Sequence, residues 1–321
     1  MKTKRLIMGA VTGLLVLSGV IFIRSTVKAA PQNNSAAAPK KTSWVAPRTP
    51  WGHPDLQGTW TNFDRTPFER PAAITPARQG GGGGAGIGPA AEFSADWAHS
   101  RVSPVRPSVV VDPPTGRVPV RPEAEAKRAY DLAHLSDSWV YNSPWERCIT
   151  RGVPGGMFPS DYNNAYQIIQ TPDSVVIHQE MIHETRIIPV DGRPSLPATV
   201  QQWMGDSRGH WEGDTLVVET THFNDQGWIT NNGATGRIKG IPNTAELRVV
   251  ERFTRAGADT ITWQATIEDP KVYTSPWTVM MPLNLEPEYQ MYEYACHEGN
   301  YAMPHTLSAG RAEDAAPAKK K

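Results

Sequence analysis

The chain has little cysteine, no excess of either charge and none of the short motifs that announce a cofactor. Its 32 basic residues are matched by 32 acidic ones, a formal net charge of zero. That balance gives no general electrostatic reason to expect nucleic acid or an anionic membrane surface as a partner. No Gly-x-Ser-x-Gly elbow, Cys-x-x-Cys-His haem site or dinucleotide fingerprint occurs. Flavin, nicotinamide and haem therefore have no positive support, and no cofactor is expected. The two cysteines, Cys148 and Cys296, are an even count in a chain that reads as exported, which points to a disulfide. Such a bridge would restrict the unfolded chain by roughly 4–5 kcal/mol of loop-closure entropy. The alternative is one catalytic thiol, but neither cysteine begins an expected helix that would lower its pKa.

Export is read from the N-terminus. Lys2, Lys4 and Arg5 precede an apolar run from Leu6 to Ile23, and Val27-Lys28-Ala29 offers small residues to a signal peptidase. Residues 1–29 read as a cleaved signal peptide, with an uncleaved anchor as the alternative because the run approaches the roughly 18 residues of a membrane span. Cleavage leaves a periplasmic or secreted protein without stable membrane association. Residues 30–47 read as a linker, 48–311 as one domain and 312–321 as a polar tail.

Turns and aromatics are plentiful. The 29 prolines, 27 glycines and 11 tryptophans describe many short strands rather than a helical bundle. Pro122 to Tyr130 is the one good helix, with proline in its first turn and acidic residues ahead of basic ones. The rest of the first half is irregular and carries a glycine-rich insertion over residues 79–90. After residue 160 strands follow turns: 166–171, 174–181, 185–190, 215–223, 246–254, 260–268, 277–285 and 290–296. The fold class is mainly β: an antiparallel barrel or strongly curved sheet, lipocalin-like, with one short helix and a long irregular N-terminal half.

Alternation assigns faces to these strands. Leu247, Val249, Glu251 and Phe253 share one face, answered across the turn by Ile261, Trp263, Ala265 and Ile267. Glu251 is thus a carboxylate on an apolar face. If the strand ending near Met181 is regular, His183 follows Val175, Ile177, Gln179 and Met181 on the apolar side, with Glu180 and Arg186 opposite. A bulge between Met181 and Thr185 would change this.

Two stretches are dense in chemistry: Glu180 to Arg186, and Tyr294 to Asn300. His183 with Glu251 forms a candidate acid/base pair in an apolar cavity. The plainer reading is that both are satisfied structurally. His297 and Glu298, beside Tyr294 and Cys296, would complete that site or merely form a disulfide-anchored strand end. A metal site is not expected, because a strand puts His178 and His183 on opposite faces and their spacing is not His-Glu-x-x-His. His210, His222, His297 or His305 would have to be recruited. Arg208 can grip an anion or pair with Asp206 to brace the polar loop 205–214. Arg147, Asn163, Asn164 and Tyr166 bracket the first hairpin and are candidates to line the same mouth.

Asp55 to Trp60, Glu180 to Pro194, Gly205 to Thr220 and Tyr292 to Tyr301 together resemble a family of uncharacterised exported bacterial proteins, over about residues 45–311. The resemblance implies no activity. Gly58-Thr59-Trp60 is similar to the opening Gly-x-Trp of lipocalin-like barrels, which implies a ligand cavity but no chemistry.

These features point first to a cofactor-independent enzyme of the lyase or isomerase type, acting on a small, partly apolar organic molecule. His183 would be its acid or base, Glu251 or Glu180 would tune it, and Arg186 or Tyr294 would stabilise negative charge. Arg147, Asn163, Tyr166, Arg208, His297 and Glu298 would bind the substrate. A periplasmic binding or carrier protein and a structural envelope protein are the alternatives. The enzyme requires His183 to meet a carboxylate within hydrogen-bond reach inside a pocket.

Overall fold

The hairpin read from residues 246–268 lies within the observed sheet. In the computed structural model, strands β8 (Arg248–Gly257) and β9 (Thr260–Glu268) pair with Val249 opposite Ile267, Glu251 opposite Ala265 and Phe253 opposite Trp263. All these side chains, and Ile261 beyond them, are buried, as alternation requires. The structure describes residues 44–71, 103–160, 162–231 and 233–316. The expected signal peptide, most of the expected linker, the glycine-rich insertion and the end of the expected tail lie outside them.

Around that hairpin runs a mostly-β, nearly closed antiparallel sheet. In chain order its remaining strands are β1 (Gly58–Thr61), β2 (Val110–Asp112), β3 (Ala165–Gln170), β4 (Ser174–Gln179), β5 (Thr185–Pro189), β6 (Asp206–Glu212), β7 (Thr215–Thr221) and β10 (Trp277–Leu285). The order across the sheet is β5-β4-β3-β1-β10-β9-β8-β7-β6, with β2 pairing β10 beside this path. Short β1 joins the two meanders: Trp60 faces Tyr166 of β3 on one side and Leu285 of β10 on the other. Trp60, Ile177, Leu216, Phe253, Trp263 and Met281 are among the buried side chains of the continuous apolar core.

The barrel has one seam, between β5 and β6, where no ladder forms. Side chains close it. A Cβ on Gly209 of β6 would stand 2.9 Å from Val190 and 3.0 Å from Ile188, so only glycine permits this approach. Beside it Arg186 of β5 reaches inward, its Nε donating to Ser207 Oγ at 3.0 Å and its Nη2 to Thr220 Oγ1 at 2.9 Å.

Helix α1 (Pro122–Ala133) forms where expected, three residues longer, with Lys127 paired to the buried Asp131 one turn on. Four local expectations need correction. Residues 205–214 are mainly strand β6 rather than a loop, because Asp206 and Ser207 turn inward and find partners there. Residues 290–296 form no strand; they are fastened by side chains instead of a ladder. A second helix, α2 (Ala302–Ala315), takes up the start of the expected tail, its Pro304 lying in the first turn where a missing N–H costs nothing. Strand β4 ends at Gln179, before Met181.

Candidate functional site

The end of β4 decides where the chemistry goes. After Gln179 the chain makes a helical turn, Met181–His183, in which Ile182 and His183 have φ of 55° and 58°. This left-handed conformation is costly for a residue with a Cβ, above all a β-branched one. It also resets the period of two, so the faces assigned across residues 181–186 do not hold. Arg186, not His183, enters the barrel interior. His183 is exposed, and its ring meets that of His178 edge to face at 4.7 Å rather than lying on the opposite side. Burial, and then the neighbouring His183, hold the His178 imidazole below its ordinary pKa.

The pairing of His183 with Glu251 is therefore corrected. Glu251 is fully buried and accepts from Arg186 Nη2 and, at 3.1 Å, from Trp263 Nε1. This cluster spans β5, β8 and β9 and satisfies both charges internally. Glu180 is also fully buried, but its carboxylate accepts from Tyr289 Oη and Tyr292 N, each at 2.9 Å. It fastens the segment after β10 to the barrel and does not approach His183's imidazole in any hydrogen bond. Arg208 donates to Asp206, Ser207 O and Pro194 O, which is the bracing role.

The two dense stretches nevertheless converge. Cys148 and Cys296 form a disulfide with a Cα–Cα distance of 5.7 Å, and two adjoining concavities open around it. One, of about 410 Å³, is lined by Ile182, His183 and Glu184 on one wall, by Glu293 to Glu298 on the other, and by Cys148 and Ile149. The second, of about 440 Å³, extends past Trp145 and Glu146 to Asn300 and Ala302. Tyr294, His297 and Glu298 are thus brought to His183. Inside the barrel, Trp60, Phe253, Trp263 and Met281 belong to one packed apolar core.

Backbone strain gathers here. Five non-glycine residues among those described have positive φ, and three of them, Cys148, Ile182 and His183, line the cleft. A fourth, Asn163, neighbours Tyr162, whose ring stacks on Tyr294 with centroids 6.3 Å apart. Strained conformations persist only where the surroundings impose them, and they concentrate at functional sites.

Glu184 is the cleft carboxylate that sequence reasoning passed over as a catalytic candidate. Burial pushes its carboxyl above the ordinary 4.5, opposed by hydrogen bonds from Thr150 Oγ1 at 2.5 Å and Arg151 N at 3.3 Å. Arg151 was also missed. It is 1% exposed, lies over the Trp145 ring at 5.6 Å, and feels the field of Tyr166, Tyr162, Glu184 and Tyr294. Of the other candidates, Arg147 lies over the Trp139 and Trp203 rings at 5.3 and 5.8 Å. Tyr166 is buried, accepting from Asn62 Nδ2 and donating to Gly156 O, and burial raises its phenol. The signal for Arg151 was available: a disulfide carries the neighbours of Cys148 to those of Cys296.

No family model, curated protein or solved structure matches the chain. Among the described residues no three metal-ligating side chains gather, and no helix is long and apolar enough to cross a membrane.

Proposed function

We propose that the disulfide-bounded cleft binds a small, partly apolar organic molecule, in a protein exported to the periplasm or beyond. One observation carries the reading: two segments over a hundred residues apart line one concavity, and its rim is built from residues held in a strained backbone. A purely structural junction has no need of that strain. The size suits a compact ligand, with His183, Tyr294, His297 and Glu298 as polar contacts and Ile149, Ile182 and Ala295 as apolar ones. The disulfide, the leader-like N-terminus and the resemblance to exported bacterial proteins support the location.

A second reading, an acid/base enzyme of the lyase or isomerase type, is favoured by Glu184 alone. Its burial-raised carboxyl lines the same wall as His183, so proton transfer to a bound molecule would pass through Glu184 rather than Glu251. Mass spectrometry of small molecules carried by the natively purified protein tests both. A retained ligand lost on His183→Ala is expected. Conversion of that ligand by the wild type selects the enzyme. Absence of any retained or added ligand would end both readings.

A further inference from the structure

The guanidinium of Arg151 is buried and has no hydrogen-bond partner for Nε or Nη2 among the described residues. Among the described residues no carboxylate pairs with it either; Glu184, a carboxylate in its field, spends its oxygens on Thr150 Oγ1 and the Arg151 backbone N–H. The Trp145 ring lies beneath the guanidinium, its centroid 5.6 Å away. Taking a guanidinium out of water without an anion costs several kcal/mol, and a fold keeps such a group only for a return elsewhere.

The two unpartnered donors are not arbitrary. Nε–H and Nη2–H lie on one edge of the planar group and point the same way, the side-on fork that grips both oxygens of a carboxylate. Trp145 lies against the flat face of the group, and Tyr162, Tyr166 and Tyr294 stand with Glu184 in its field. Trp145 lines one concavity, and Glu184 and Tyr294 line the other, so the arginine sits behind the walls of both.

We propose that the ligand of the cleft is a small organic acid with an aromatic or apolar body, whose carboxylate is gripped side-on by Arg151. This deepens the binding reading above and rests on it. Because the donor edge is covered, the wall must shift to admit the ligand. Residues 286–301, which carry Tyr294, form no helix or strand and are the wall best able to do so. Glu184, being an acid on the approach, weakens anion binding and sharpens the demand for a two-oxygen grip.

The test is calorimetric titration of the full mature protein with benzoate, phenylacetate and hexanoate, each beside its neutral amide, together with thermal melting. At least one acid is expected to bind about tenfold or more tightly than its amide. Arg151→Met is expected to abolish that preference and to raise the melting temperature of the unliganded protein, since a buried unpaired charge is gone. Glu184→Gln is expected to tighten acid binding several-fold. Equal binding of acid and amide overturns the inference while leaving the cleft a ligand site. Acid preference that survives Arg151→Met, or acid binding weakened by Glu184→Gln, also overturns it. An Arg151→Met protein that melts lower assigns Arg151 to the scaffold and overturns it too. Failure of every acid and every amide to bind removes the cleft reading, and this inference with it.

Discussion

Arg186 Nη2 donates to Glu251 Oε2 in the interior of the barrel, across the seam that no backbone ladder closes. Both residues are nearly or wholly buried, so each charge depends on the other. Glu251→Leu leaves a desolvated guanidinium and frees the Trp263 N–H, and is expected to cost about 3–5 kcal/mol. Adding Arg186→Met restores most of the loss, since a well-packed apolar pair replaces a buried ionic one at little net cost. Urea melts of the two single variants and the double variant measure this coupling. Additive losses in the double variant would contradict it.

Glu184 makes stability depend on pH in an unusual sense for a carboxylate. Burial raises its folded pKa, so the folded state holds the proton more tightly than the unfolded chain does. Its contribution is fully present below the unfolded value and is lost as pH rises through the folded one. The buried Asp269, also raised by burial, acts in the same direction. Melting temperatures of wild type and Glu184→Gln, measured upward from the ordinary carboxylate range, are expected to diverge in favour of the variant. A constant difference across that range would count against the assignment.

The disulfide holds the cleft rather than the barrel. Every strand of the sheet forms its ladder without it, whereas residues 286–301 are joined to the rest by the bridge, by the Glu180 acceptors and by Asn300 Nδ2 donating to Glu146 O. Cys148→Ser with Cys296→Ser is expected to cost up to about 5 kcal/mol of loop-closure entropy. Hydrogen exchange should show lost protection in residues 145–151 and 286–316 with β7 to β9 still protected, and ligand binding should fall. Uniform loss across the sheet would make the bridge global instead.

His183 is exposed and sits at φ 58°, where glycine has no Cβ penalty. His183→Gly is expected to raise stability by up to about 1 kcal/mol, the relieved strain being partly offset by a more flexible unfolded chain. The same change is expected to weaken ligand binding. Denaturant titration and binding on one preparation check both signs. A destabilised variant would mean that the histidine ring itself holds the turn.

Residue order alone determined the class of fold and much of the interior. Period-two alternation is local, so it alone places Val249, Glu251 and Phe253 inside with Ile267, Ala265 and Trp263 across the turn. The pairing of the two cysteines agrees with their even count in the same way. Which groups meet is another matter. Two residues in the left-handed region, Ile182 and His183, flip the face of everything after them, and no alternation pattern reports a positive φ. So Arg186 went in to Glu251 and His183 went out to the cleft. Arg151 was half legible: the expected bridge from residue 148 to 296 carries its neighbours towards Tyr294, but its burial is decided by packing. Tertiary structure alone joined the two chemistry-dense stretches, because their contact is made by a covalent link and packed side chains rather than by any repeat along the chain.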